Sequence, residues 1–459
     1  MLRSPAWSIA SLLLLAAATA AQPPLDIGSR LELFIDDALV DELTGSARRV
    51  LHHPEPREVI YQPNGPAEGA TSAYYTLLRE GNLARLYFRG TGDEGASHPE
   101  FTCVAESIDG GPFTRPELGL VEFNGSTANN IIHDGVAVHN FTPFIDTRPG
   151  VPADERYKAV GGRQLYPLAS ADGLHWRQLS DEPVITDGAF DSQNVAFWDA
   201  ARGQYVCYFR TFQEGMRHIG RATSDDFLHW SPTEQLRFNR PPEQLYTNNI
   251  LPYFREPSLL IGMPARFLPQ RQKLANHHSP GVSDALLMVS RDGLNFHRWA
   301  EAFLQPGPDP RNWGDRTNYP VWALEQTSPT EMSVYWWEHY RFPSLAIRRG
   351  TLRIDGFVSV QAGADGGTLL TRPFTYTGGR LQLNYATSAA GGLRVEVCDE
   401  AGAPLPGLAL SAEQELFGNV IDETVVWPAG GDLAAHAGQP VRLRFHLRDA
   451  DLYSFRFVE

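Results

Sequence analysis

Three carboxylates in this chain stand in company suited to acid–base chemistry. Asp191 opens the run Asp-Ser-Gln-Asn, Glu338 follows two tryptophans in Tyr-Trp-Trp-Glu-His-Tyr, and Glu68 lies just ahead of the Tyr74-Tyr75 pair. Each has aromatic or amide neighbours able to hold a polyhydroxylated ligand. Breaking a bond between two sugars needs two carboxyl groups, one to protonate the leaving oxygen and one to activate water or attack carbon. Asp134 adds a fourth candidate. Around these lie polar residues of the kind that orient a substrate: His139 and Asn140, Gln193 and Asn194, Tyr246 with Asn248 and Asn249, and Asp315 with Arg316.

Other chemistries lack their residues. No Gly-rich phosphate loop and no Gly-x-Ser-x-Gly elbow occurs. Cys103, Cys207 and Cys398 are too scattered for a disulfide framework, and Cys103 and Cys207 sit in strand-like apolar runs, so buried thiols are expected. His52-His53 and His277-His278 are adjacent pairs whose side chains diverge on an extended chain, which suits surface loops rather than a metal site. No metal site and no cofactor are expected. A formal net charge of −15 excludes a polyanion such as nucleic acid as partner. No run after the N-terminus is long enough to span a bilayer.

The elements that must position these groups are read from internal repeats. Four segments share a Ser-x-Asp turn followed by an aromatic residue, starting at Ser107, Ser170, Ser224 and Ser290, with spacings of 63, 54 and 66 residues. Ser and Asp bond the turn backbone, and the aromatic packs as the next strand begins. Each turn lies between strand-like runs, and a strand census gives four strands per unit over most of the chain. A fifth unit, around residues 318–354, lacks its fourth strand, and residues 31–35 are expected to supply it. Four-stranded units in series, closed by a terminal strand, describe a five-bladed β-propeller. From residue 356 the pattern changes to long period-two strands, which predicts an antiparallel β-sandwich. Residues 1–21 have the basic, apolar and small-residue pattern of a signal peptide, which predicts a secreted or periplasmic protein. The expected division is therefore 1–21 signal peptide, 22–355 propeller and 356–459 sandwich, an all-β chain.

This organisation resembles glycoside hydrolase family 32, whose propeller is shared with families 43, 62 and 68. It also resembles a group of exported bacterial proteins described as family-32-like. The stretches that carry the resemblance are Leu33-Phe-Ile-Asp-Asp37, Phe141-Thr-Pro-Phe-Ile-Asp146, Glu155-Arg-Tyr-Lys-Ala159, Asp191-Ser-Gln-Asn194, Tyr335-Trp-Trp-Glu-His-Tyr340 and Asp355-Gly-Phe-Val-Ser359. The Asn-Asp-Pro-Asn, Arg-Asp-Pro and Glu-Cys motifs of family 32 are absent at the matching blades. By blade position alone the resemblance implies Glu68 as base or nucleophile, Asp134 as accessory carboxylate and Asp191 as acid. It also admits a structural Ca²⁺ in the channel. The turns resemble the Asp boxes of sialidases, without the usual spacing.

The expectation is an exported glycoside hydrolase-like protein acting on an oligo- or polysaccharide at the channel mouth, with furanosides the favoured class. The alternative is a non-catalytic carbohydrate-binding propeller. A structural protein of the cell exterior is a third reading.

Overall fold

The computed structural model describes residues 23–92 and 100–459; the expected signal peptide lies outside them. Five antiparallel blades surround a central channel. Their innermost strands are Ala73–Glu80, Thr142–Ile145, Val195–Asp199, Leu251–Tyr253 and Tyr319–Pro320. Blade one continues outward through Leu83–Gly90, Phe101–Ile108 and Ile131–His133. Blade two continues through Tyr157–Gly161, Tyr166–Ser170 and Arg177–Gln178, and blade three through Gln204–Gln213, Met216–Ser224 and Glu234–Gln235. Blade four uses Glu256–Gly262, Met288–Ser290 and Asn295–Arg298, with Arg237–Phe238 added in parallel at its rim. Apolar side chains fill the spaces between blades, and the four helical turns of the described residues are all short 3-10 turns.

Three of the four repeated turns share one bonding scheme. The Ser170, Ser224 and Ser290 hydroxyls accept the backbone N–H three residues on, at 2.8–2.9 Å. Asp172, Asp226 and Asp292 each accept the next two exposed N–H groups. The position between them is left-handed, so Gly173 and Gly293 suit it at φ +76° and +78°. Phe227 takes the same position at φ +72° and is fully buried against Phe144 and Tyr205. The turn at Ser107 departs from the scheme, its hydroxyl donating to the Gly111 carbonyl.

Ring closure differs from expectation. The outer strand of blade five is Glu55–Tyr61, paired with Ala346–Arg353, and not residues 31–35. This strand is exposed along most of its length and carries Pro56, which an edge strand tolerates. It therefore lacks the apolar alternation that marks a strand in sequence. Residues 31–35 are buried, but most of their pairing is with the C-terminal region. Glu32–Leu33 pairs with Arg442–Val458, and Phe34 packs on Phe445 and Phe455.

The first described residues thus pair with strands of the C-terminal region. Leu25–Gly28 pairs with Phe374–Tyr376, Val40–Gly45 with Gly367–Thr371, and Arg48–Leu51 with Val358–Ala362. The C-terminal region is one connected eight-stranded sheet. Along one edge of Arg442–Val458 runs Arg380–Cys398; along the other come Gly367–Thr371, Val358–Ala362 and Glu32–Leu33 in turn. Asp355, fully buried, fastens this sheet to blade four. It accepts bonds from Tyr253 and Arg255 on one side and from Asn384 and Ser454 on the other.

Phe227→Gly separates backbone strain from packing. The replacement relieves a left-handed conformation costing about 1–2 kcal/mol but removes a buried ring whose loss costs about 3–5 kcal/mol. The expected result is a net destabilisation of about 2–4 kcal/mol in chemical denaturation; a stabilised variant would show that strain dominates.

Candidate functional site

The starts of the inner strands and the ends of the second strands meet at one end of the channel. Its floor is made of amides. Gln193, from blade three, crosses to blade one, donating to the Tyr75 carbonyl at 2.9 Å and the Thr76 hydroxyl at 3.2 Å. Asn249 donates to the Pro320 carbonyl at 2.8 Å and Asn248 to the Tyr208 carbonyl at 3.1 Å. Asn140 and Asn194 both donate to the Phe190 carbonyl. These five side chains, expected to bind substrate, are buried; four spend their N–H groups on bonds between blades, and Asn194 on its own lead-in segment. Among the described residues no group of three or more His, Cys, Asp or Glu side chains is placed to hold a metal ion.

Above this floor stands Asp191, with 49% of its side chain exposed. His139 faces it, with Nε2 3.6 Å from the Asp191 carboxylate and Nδ1 2.7 Å from Glu100. Partial burial pushes the Asp191 pKa up, but Arg210, His139, Arg89 and Arg316 outweigh it and hold the carboxyl below its usual range. An Asp held ionised in this way suits a base or nucleophile. Glu100 is treated likewise: burial raises its pKa, and His139 and Arg89 more than reverse this.

The arginines sit on tyrosine rings. Arg89 lies 4.9 Å from the centre of Tyr74, and Arg210, Arg217 and Arg316 lie 4.9, 5.0 and 5.7 Å from that of Tyr246. On blade five, Asp315 is buried, 2.7 Å from His277 and 3.3 Å from Arg341. His277 is therefore turned inward from its loop rather than being the surface residue expected. Tyr74, Asn140, Asn249, Arg316, Asn318, His339 and Arg341 all have φ between +45° and +70°. Left-handed non-glycine residues are costly, and they gather where function over-determines the backbone.

The other expected catalytic carboxylates are elsewhere or occupied. Glu68 is fully buried and saturated: it accepts from Tyr61, the Gly65 N–H at 2.7 Å, Asn130 at 2.9 Å and Arg115 at 2.9 Å. It clamps the closing strand to blade one and is not available to a substrate. Glu338 pairs with Arg348 at 2.7 Å and accepts from Trp336, on the opposite strand face from Trp337, whose indole bonds the Arg316 carbonyl. Asp134 is exposed in the loop leaving the outer strand of blade one. The structure thus gathers Asp191, His139, Tyr246, Asp315 and Arg316, and adds Arg89, Arg210, Tyr74, Glu100 and His277. The sequence marks the added arginines only loosely: Tyr-Phe-Arg occurs at 87–89 and 208–210, towards the ends of the second strands of blades one and three, and also at 253–255, where Arg255 instead bonds Asp355.

No protein-family model matches the sequence, and no curated protein matches it. Solved structures share the course of the chain. A glycoside hydrolase aligns at 10% identity over 66% of this chain and 91% of its own, with a TM-score of 0.45. An endo-1,4-β-xylanase from Bacteroides thetaiotaomicron aligns at 13% identity over 66% and 96%, with a TM-score of 0.44. An N-acetylgalactosamine deacetylase from F. plautii, in complex with blood group B trisaccharide, aligns at 13% identity over 67% and 95%, with a TM-score of 0.42. The chain is a five-bladed propeller by its own strand pairing, and these distant likenesses, each below a TM-score of 0.5, carry nothing about its site.

Two outcomes are expected. Glu68→Ala lowers stability by about 3–5 kcal/mol, because it leaves several buried partners unpaired; unchanged denaturation would return Glu68 to the list of reactive groups. In a carboxyl NMR titration, Asp191 has its midpoint below the ordinary value of about 3.9. Arg210→Gln moves that midpoint up, because the strongest lowering neighbour is gone; an unmoved midpoint would contradict the assigned cause.

Proposed function

We propose that the chain hydrolyses a glycosidic bond at the channel mouth, with Asp191 as the reacting carboxylate. The observation that carries this is an ionised, half-exposed Asp191 set among buried guanidiniums and tyrosine rings on a strained backbone. In this reading Asp191 takes the proton of a water whose oxygen bonds to the anomeric carbon. The bond from that carbon to the leaving oxygen breaks, and the oxygen receives a proton from a second carboxyl group. Glu100 is held ionised and is unsuited to donating that proton. Asp315, bonded to His277 and Arg341 and buried, is equally occupied, so neither of these neighbours supplies that proton. Furanosides remain the favoured sugars on the resemblance alone.

The burial of Asp315 and the structural engagement of Glu68 and Glu338 favour a second reading, a carbohydrate-binding propeller without turnover. The N-terminal pattern supports export, and the C-terminal sheet, read as a sandwich, braces the ring.

The test is a screen of purified protein against aryl furanosides, aryl xylosides and plant and algal polysaccharides, reading released sugar. Asp191→Asn is expected to lower kcat by about 10²–10⁴-fold with the thermal midpoint retained. Cleavage that survives Asp191→Asn would refute the assignment, and silence of the folded parent across the panel would favour the binding reading.

A further inference from the structure

Arginines elsewhere in the chain show what a purely structural guanidinium looks like here. Arg291 bonds Glu32 and Asp36 at 2.7 Å each, and Arg115 bonds Glu68, Asn64 and the Gln62 carbonyl. Arg349 and Arg79, in the cleft of about 660 Å³ between blades five and one, each grip a glutamate through two nitrogens. Each of these four bonds through at least two of its nitrogens and holds a carboxylate.

The three arginines nearest Asp191 differ. Arg89, only 8% exposed, donates through Nη1 to Asn140 at 2.9 Å and lies 3.4 Å from Glu100, yet its buried Nε has no partner. Arg210, 7% exposed, donates only through Nε, to the Ala189 carbonyl at 2.9 Å; among the described residues its terminal nitrogens bond nothing. The Arg316 side chain donates no hydrogen bond among those residues, and its nearest carboxylate oxygen, on Asp315, is 3.7 Å away. A guanidinium has five N–H donors, and burying it without acceptors is costly. Three such groups come from blades one, three and five and act on one carboxylate, in a chain whose net charge is −15. The mouth is a local reversal of charge with donors to spare.

We propose that the mouth binds a sugar residue carrying a carboxylate, with the spare N–H groups of Arg89, Arg210 and Arg316 on that carboxylate and the Tyr74 and Tyr246 rings alongside it. The inference rests on the glycan reading of the mouth. Planar guanidinium forks match a planar carboxylate through paired bonds. The anionic ligand also relieves the excess of cations that Asp191 leaves unpaired. Sulfated sugars present the same charge on a tetrahedral group and are the other source of such an anion.

The experiment is isothermal titration of the full chain with an oligogalacturonide and an oligoglucuronide, with the methyl ester of each, and with a sulfated oligosaccharide. At least one acid is expected to bind 10-fold or more tighter than its ester, more weakly as salt rises. Arg210→Gln and Arg316→Gln each reduce that affinity 10-fold or more; Arg316 is partly exposed, so its variant is expected to fold. Equal binding of acid and ester, no binding of either acid, or affinity untouched in both variants would overturn the proposal, as would tighter binding of the sulfated sugar. The two readings fail separately. Arg-dependent uronate binding without cleavage of any glycan keeps this inference and removes the hydrolase. Asp191-dependent cleavage of neutral glycans, with acids no better bound, does the reverse.

Discussion

Everything at the channel mouth depends on a ring that must be closed by hydrogen bonds across a large sequence separation. The closing strand Glu55–Tyr61 is exposed and irregularly paired, so it contributes little hydrophobic burial of its own. Its hold comes from the buried carboxylate of Glu68, which gathers Tyr61, Gly65, Asn130 and Arg115 into one knot. A buried charge is tolerable only when its lone pairs are filled, and here they are. Blade one is thereby held between blade five and its own outer loop. Arg89 and Tyr74 on blade one, and Arg316 on blade five, keep their relation to Asp191 through that seam.

Polar groups at the mouth divide into two layers by what they bond. The lower layer spends its amides on backbone carbonyls of neighbouring blades, which turns a hole through the ring into a floor. The upper layer stacks charges on aromatic faces, where a guanidinium gains from the ring quadrupole without using its N–H groups. This is how the cations can be both buried and available. The left-handed residues that enter several inner strands aim these side chains, and the hydrogen-bonded floor holds their backbone in place.

Much of the scaffold was legible in the sequence. The turns at Ser170, Ser224 and Ser290 bond as their residue types dictate, and the three cysteines are buried free thiols. What was not legible has physical causes. An edge strand with one face in water shows no alternation, so Glu55–Tyr61 was passed over, while residues 31–35 look like a strand and are buried against a different partner. Asp191, His139 and Arg316 were readable from their place before inner strands. A buried, saturated carboxylate such as Glu68 and a reactive one look alike in sequence; only its partners distinguish them. Arg89 and Arg210 lie towards strand ends, and the Tyr-Phe-Arg that they share with Arg255 marks them only loosely until the ring brings those ends together.

The interleaving of the two ends of the chain has a consequence for synthesis. Arg348 bonds the Arg57 carbonyl 291 positions away, and the strands before residue 52 find their partners only beyond residue 357. Blades one to four can form as local units while the chain is being made, because their strands are close in sequence. Residues 25–51 must wait, unpaired, until nearly the whole polypeptide exists. Such non-local pairing is slow and leaves strand edges open to other chains meanwhile. Yield in a cell should therefore respond to whatever shields that early segment more than to the stability of the finished ring.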